Sequence, residues 1–186
     1  MPGPNRIRRQ QIIREVEGYL ELLELFPEPG AVRPENRERI ARRSLQLLDR
    51  IEAGDERTQA LHLKGLALRS LGRFVEALAP LKEAAELDPQ NIHIWLTIGW
   101  CQKRAGRIDL AIESLEEALQ IDPAEAIIHY NLACYWSLAG NREHALEFLH
   151  HALQIDPNYR DLVDGESDFD PIRNDPGFQA LTSMIA

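Results

Sequence analysis

The sequence predicts an all-α fold, a right-handed α-solenoid of antiparallel helical hairpins. The first observation is a repeated string: ALQIDP occurs at 118–123 and again at 152–157, and AAELDP stands one further period upstream at 84–89, so the period is 34 residues. That period is the length of one helix–turn–helix unit in a repeat protein. The second observation is that each copy ends in Asp-Pro. Proline stops a helix because it cannot donate a backbone hydrogen bond and disfavours helix in the residue before it.

Composition limits the classes of function. Hydrophobic residues make up 44% of the chain and charged residues 27%, which is enough apolar material for a packed core. The net charge of −9 falls entirely in residues 58–186, because residues 1–57 carry as many arginines as acidic residues. An acidic chain repels phosphate backbones, so no nucleic-acid partner is predicted.

Two further classes are excluded on the same grounds. No segment approaches the roughly 18 consecutive apolar residues of a membrane span, so no membrane insertion is predicted. Cys101 and Cys134 are too few for a disulfide framework. We therefore expect reduced cysteines and a cytoplasmic protein.

Three consecutive units follow when the proline is placed at position 32 of each: 58–91, 92–125 and 126–159. A glycine at position 15 is expected to end the first helix, because glycine adopts left-handed backbone without steric cost. Small residues at positions 8, 20 and 27 let paired helices approach closely, and leucine at position 24 fills the space between hairpins. The residues are Gly65, Gly99 and Ala133 at position 8; Gly72, Gly106 and Gly140 at 15; Ala77, Ala111 and Ala145 at 20; Leu81, Leu115 and Leu149 at 24; Ala84, Ala118 and Ala152 at 27; and Pro89, Pro123 and Pro157 at 32.

This pattern resembles the tetratricopeptide repeat family over residues 58–157. The large residue of position 4 is Leu61, Trp95 and His129, so only the middle unit carries the tryptophan of the family. The resemblance implies stacked hairpins whose first helices line a concave groove that binds other proteins. Some members hold the acidic C-termini of heat-shock chaperones in a clamp of lysine and asparagine. No clamp residue stands at its place among residues 62, 66, 97, 127 and 131, so that partner is not predicted.

An N-terminal extension, residues 1–57, precedes the repeats at 58–159. Apolar residues recur at helical spacing over 6–26 and again over about 35–53, with the proline-rich break FPEPGAVRP between them. We interpret the two helices as a degenerate hairpin. It either caps the stack, as repeat proteins require for solubility, or serves as a dimerisation or docking arm.

The remaining residues, 160–186, are expected to form a C-terminal cap. The segment DFDPIRNDPGFQAL resembles the ending of many bacterial tetratricopeptide proteins. A short closing helix is predicted over 176–185, with Phe178, Leu181 and Ile185 on one face.

No cofactor, metal or catalytic motif is identified. The acidic residues that begin at Asp168 lack the glycine and glutamate that a calcium loop requires at its sixth and twelfth positions. His150 and His151 are adjacent and point about 100° apart on a helix, so they cannot chelate one metal. Phosphate loops, nucleophile elbows and HExxH are missing from the sequence, and we expect a protein that is not an enzyme.

The first helices of the three units should provide the binding groove. Positions 2, 5, 6, 9, 12 and 13 form one stripe when positions 4, 7, 8 and 11 face the partner helix. The stripe contains cations and no carboxylate, and it predicts a peptide with apolar anchors and some negative charge. Trp100 and Tyr130 could instead be core fillers. The candidate residues are His62, Leu66, Arg69, His93, Leu96, Thr97, Trp100, Lys103, Arg104, Tyr130 and Asn131.

The leading hypothesis is therefore a non-enzymatic adaptor that binds a peptide or protein segment and exists as a monomer or small homo-oligomer. One alternative is a secretion-type chaperone that keeps an exported client soluble. Another is a structural scaffold that assembles end to end. The sequence does not identify the partner.

Overall fold

A computed structural model describes residues 4–25, 32–51 and 54–183 of the chain, and these residues are predominantly helical. The predicted all-α class, with the helical hairpins of an α-solenoid, is confirmed. The short 3₁₀ turns in the described residues are Pro157–Tyr159 and Ser167–Ile172. The α-helices are α1 (Pro4–Leu25), α2 (Pro34–Leu48), α3 (Arg57–Ser70), α4 (Phe74–Leu87), α5 (Ile92–Arg104), α6 (Ile108–Ile121), α7 (Ala126–Leu138), α8 (Arg142–Ile155), α9 (Arg160–Val163) and α10 (Pro176–Ser183).

The glycine at position 15 ends the first helix of each repeat, as predicted. Gly72, Gly106 and Gly140 have φ angles of +71°, +74° and +77°, in the left-handed region that favours glycine. In each case the residue after the glycine donates its backbone N–H to a carbonyl five residues back, as in Arg73 to Leu68 at 3.0 Å. This bond closes the helix end and turns the chain into the second helix.

The second helices end just before each Asp-Pro pair, at Leu87, Ile121 and Ile155. The alanines at positions 20 and 27 and the leucines at position 24 are all fully buried, as their spacing predicts. The repeated string therefore stabilises the hairpins, because small residues permit close helix contact and leucine fills the gap between hairpins.

Close contacts within the chain group into two units, Met1–Cys101 and Gln102–Ala186. In the first unit, α1 packs on α2 and α3. Its apolar face is buried with residues of those two helices in one core. A second core joins α3, α4 and α5. The buried residues of the α1 face are Ile12, Ile13, Val16, Leu20 and Leu23.

The second unit contains the α7–α8 hairpin and what we call the C-terminal segment, residues 157–183. The 3₁₀ turn Ser167–Ile172 packs against α7, and α10 packs against α8. Phe169 and Phe178 are buried, with ring centroids 5.5 Å apart. The segment thus covers apolar surface of the last repeat.

The flanking helices differ in their ends from those predicted. Helix α2 ends at Leu48 and not near residue 53, because Arg50 and Ile51 donate to carbonyls three residues back and the tightened turn directs Ile51 into the core. Helix α10 ends at Ser183, and Ile185 lies outside the described residues, as does most of the proline-rich break. The division into 1–57, 58–159 and 160–186 stays a prediction.

Candidate binding surface

The first unit contains an open cavity of about 660 Å³, which we call the inner pocket. Residues of α1, α3 and α5 line it, together with the end of α4 and the turns beside these helices. Its lining is Glu17, Leu20, Glu21, Asp55, Thr58, Gln59, His62, Leu63, Leu66, Leu87, Asp88, Asn91 and Ile94.

Apolar residues form the floor and one wall of the inner pocket. Leu20, Leu63 and Ile94 are buried and make the floor. Leu66 is half-buried, and Leu87 is 51% exposed although it is a large apolar side chain. An exposed leucine beside a concave apolar floor is the arrangement by which proteins bind apolar side chains of a partner.

His62 lies in the inner pocket as a neutral imidazole. Burial, assisted by the charges of His93 and Arg69, lowers the pKa of His62 to about 4. Its Nε2 lies 3.2 Å from Thr97 Oγ1, and the Thr97 hydroxyl donates to the His93 carbonyl at 2.7 Å. Because that hydroxyl proton is already used, Nε2 must be the donor to Thr97, and Nδ1 is left as the acceptor nitrogen.

Four carboxylates line the inner pocket, whereas the predicted stripe of the first helices contains none. Glu17 and Glu21 come from α1, and Asp55 and Asp88 come from turns. The first helices of the repeats contribute none of them, so a stripe drawn on those helices alone could not include them. The signal available in the sequence was the i, i+4 spacing of Glu17 and Glu21 on either side of Leu20.

The aromatic part of the predicted stripe in this unit is Trp100. The Arg69 guanidinium carbon lies 5.3 Å from the centre of its ring, and Phe74 meets the ring edge-on at 5.4 Å. Trp100 also packs against the core of α3, α4 and α5. Beside it on α5, Leu96 is half-buried and His93 is exposed, whereas Thr97 is buried. Trp100 therefore combines a core contact with a partly exposed face.

The structure places Tyr130 under the C-terminal segment and not on an open surface. It is 5% exposed, and its ring lies 4.9 Å from Tyr159 and 5.7 Å from Phe169. Tyr130 is therefore a core residue, as in the alternative interpretation of the sequence. Nearby Asn131 is half-buried, and Arg104 is exposed.

Lys103 is also engaged by the C-terminal segment. Its ammonium pairs with the carboxylate of Asp168 and lies 5.7 Å from the centre of the Tyr135 ring. Asp168 of the C-terminal segment thus pairs with one of the cations that we expected to bind a partner.

One group of possible metal ligands occurs among the described residues: Cys134, Glu166 and Asp168 offer atoms within 4.8 Å of one another. Burial, together with the two carboxylates, raises the pKa of the Cys134 thiol well above its usual value, so it stays protonated. Asp168 is already neutralised by Lys103, and Glu166 accepts the Asp168 backbone N–H at 3.0 Å. Both carboxylates thus already have partners within the fold and the thiol is protonated, so we assign no metal to this group.

In the part of the chain that the structure describes, none of the helices combines the length and the apolar character that crossing a bilayer requires.

The fold and the open surface define the class of protein: a helical-repeat protein that serves as a protein–protein interaction module. Two family models agree, one described as TPR repeat over residues 103–137 and one as tetratricopeptide repeat over residues 68–113. The chain therefore contains tetratricopeptide repeats within residues 68–137.

Solved structures of low sequence identity have a similar fold. YrrB, described as a TPR protein with an unusual peptide-binding site, is 22% identical, with a TM-score of 0.62 and coverage of 84% of each chain. MamA AMB-1 is 24% identical, with a TM-score of 0.57 over 81% of this chain and 97% of its own. The Yersinia enterocolitica type III secretion translocator chaperone SycD is 21% identical, with a TM-score of 0.57 over 70% of this chain and 95% of its own. No curated protein matches the sequence.

Proposed function

We propose that this protein is a non-enzymatic adaptor that holds a peptide or protein segment in the inner pocket and along the adjoining surface of α3 and α5. The observation that carries the proposal is the inner pocket itself, about 660 Å³ in volume and open to solvent. Ligand sites in proteins range from about 300 to 1,000 Å³ and combine apolar walls with a few polar groups. His62 and Leu66 lie in the pocket, and Arg69, His93, Leu96 and Trp100 belong to the adjoining surface.

Tyr130 and Lys103 are left out of the proposed site, because the C-terminal segment already contacts both side chains. A partner that used them would first have to displace that segment. The inner pocket requires no such rearrangement.

Photo-crosslinking tests the proposal. A photoreactive amino acid replaces Leu66 in the pocket, and in a matched protein it replaces Val75, which is 57% exposed on α4 and does not line the pocket. Irradiation in native lysate should give a discrete crosslinked product from position 66 and none from position 75. Crosslinks that arise equally from both positions, or from position 75 alone, would contradict the proposed site.

The same preparations distinguish the two alternatives by mass. A secretion-type chaperone would copurify with a stoichiometric client, and an end-to-end scaffold would grow in mass with concentration. The proposed adaptor keeps one small mass, as a monomer or small homo-oligomer, in light scattering across a dilution series.

A further inference from the structure

We infer that the inner pocket selects a basic segment, one in which arginine or lysine side chains are interspersed with apolar side chains. This inference rests on the proposed function and adds the chemistry of the partner. Its first support is the charge of the lining: four carboxylates and no lysine or arginine among the lining residues.

The carboxylates differ in how far they are already neutralised. Asp55 pairs with Arg6, whose Nη2 lies 3.3 Å from its Oδ2. Glu17 accepts a hydrogen bond from the neutral side chain of Gln59, and Asp88 accepts one from Asn91 at 3.3 Å. Within the described residues, no lysine or arginine pairs with Glu17, Glu21 or Asp88. Three negative charges thus remain available to a cationic ligand.

The positions of these groups match a segment of mixed character. The apolar floor of the inner pocket is buried, whereas Glu21 and Leu87 are exposed at its rim. An apolar side chain of the partner would enter the floor, and the long stem of a lysine or arginine would run along Leu87 toward a carboxylate at the rim. His62 adds no opposing charge, because its imidazole is neutral and presents Nδ1 as an acceptor.

This partner chemistry differs from the one predicted by the stripe of first helices. Arg69 favoured an acidic peptide, but it lies over Trp100, outside the lining of the inner pocket. The charges in the lining of the pocket come from α1 and from the turns, and they are negative.

The test uses a random twelve-residue peptide display library as the probe. The full chain is compared with Glu17→Gln/Glu21→Gln and with Glu113→Gln/Glu116→Gln, a control on α6 that removes the same charge from exposed positions outside the pocket. Wild-type protein should enrich peptides that contain lysine or arginine beside leucine or phenylalanine. The recovered peptides should bind the pocket variant about tenfold more weakly and the control within twofold, as expected for two lost ion pairs.

Three outcomes overturn the inference. If neutral or acidic peptides are recovered and crosslink to position 66, the proposed function stands and the basic chemistry is wrong. If both double variants lose binding equally, the attraction belongs to the whole acidic chain and not to the pocket. If no recovered peptide crosslinks to position 66, the proposed function fails together with the inference. Circular dichroism of the variants confirms that each retains its helices.

Discussion

Lys103 of α5 and Asp168 of the C-terminal segment form an ion pair in which both side chains are largely buried, with exposed fractions of 17% and 13%. The pair joins residues 65 positions apart in the sequence. The ammonium of Lys103 lies 5.7 Å from the centre of the Tyr135 ring, and the 3₁₀ turn that supplies Asp168 also supplies the Phe169 ring that packs on Tyr130.

The first prediction concerns this pair. Lys103→Met should lower the free energy of unfolding by about 2–3 kcal/mol, because it leaves a mostly buried carboxylate without its cation. Urea unfolding measures the change. The control is Arg142→Met, which removes a partner of Asp175 from a pair whose arginine is 65% exposed, and it should cost less than about 1 kcal/mol.

The double variant Lys103→Met/Asp168→Leu should be more stable than Lys103→Met alone, because no uncompensated charge remains. A cost for Lys103→Met no larger than that for Arg142→Met would show that the buried pair contributes little to stability.

A second prediction follows from the hydroxyl of Tyr130. Its Oη is buried and has no hydrogen-bond partner among the described residues, and burial raises the pKa of this phenol. Tyr130→Phe should therefore leave stability unchanged or raise it by about 1 kcal/mol, since it removes an unsatisfied polar group and keeps the ring. Thermal unfolding measures the change, with Tyr159→Phe as the control at a less buried ring. A loss of 1 kcal/mol or more in Tyr130→Phe would reveal a partner for the hydroxyl.

A third prediction concerns pH. The pKa of His62 is about 4 in the folded protein and about 6.5 in an unfolded chain. Between these values the unfolded chain binds more protons, so stability falls as the pH decreases from 6.5 toward 4. At pH 5 the contribution of this group should be about 2 kcal/mol less favourable than at pH 7.5.

His62→Gln removes the titration and keeps a side-chain N–H that can reach Thr97. Denaturant unfolding at pH 7.5 and at pH 5.0 gives the two free energies for each protein. The decrease between these pH values should be smaller in the variant by about that amount. Equal decreases in both proteins would mean that His62 keeps an ordinary pKa.

A fourth prediction separates two glycines. A Cβ at Gly65 would overlap Cγ and Cδ2 of Leu81, which is fully buried, so Gly65→Ala should cost about 1–3 kcal/mol. A Cβ at Gly18 meets nothing within 4 Å on the exposed face of α1. Gly18→Ala should stabilise the protein by about 0.5–1 kcal/mol, because alanine loses less backbone entropy in a helix. Thermal unfolding of both variants checks the opposite signs.

Features with a local cause were predictable from the sequence. Gly72 and the Asp-Pro pair at 88–89 act through the conformations that their own backbones allow, so their effects do not depend on distant residues. The burial of Leu81 was predicted from its place in the 34-residue period and is confirmed. These residues were sufficient to predict the hairpins and the class of protein.

The candidate site was predicted less completely. His62 and Leu66 lie in the inner pocket, but Glu17, Glu21 and Leu87 also line it and were not predicted. Periodicity shows which face of a helix is apolar and does not show which other helix will stand opposite that face. The carboxylates of α1 belong to the pocket only because α1 packs on α3.

The sequence by itself determined the repeat, the helix ends within the repeats and the small residues that permit close packing, since each depends on residue type at a fixed place in the period. Only the tertiary structure decided which surface is open. Tyr130 and Lys103 are covered because the C-terminal segment returns to α7 and places Phe169 and Asp168 against them. The sequence predicted a cap over residues 160–186, but the side chains that it covers depend on contacts between residues far apart in the chain.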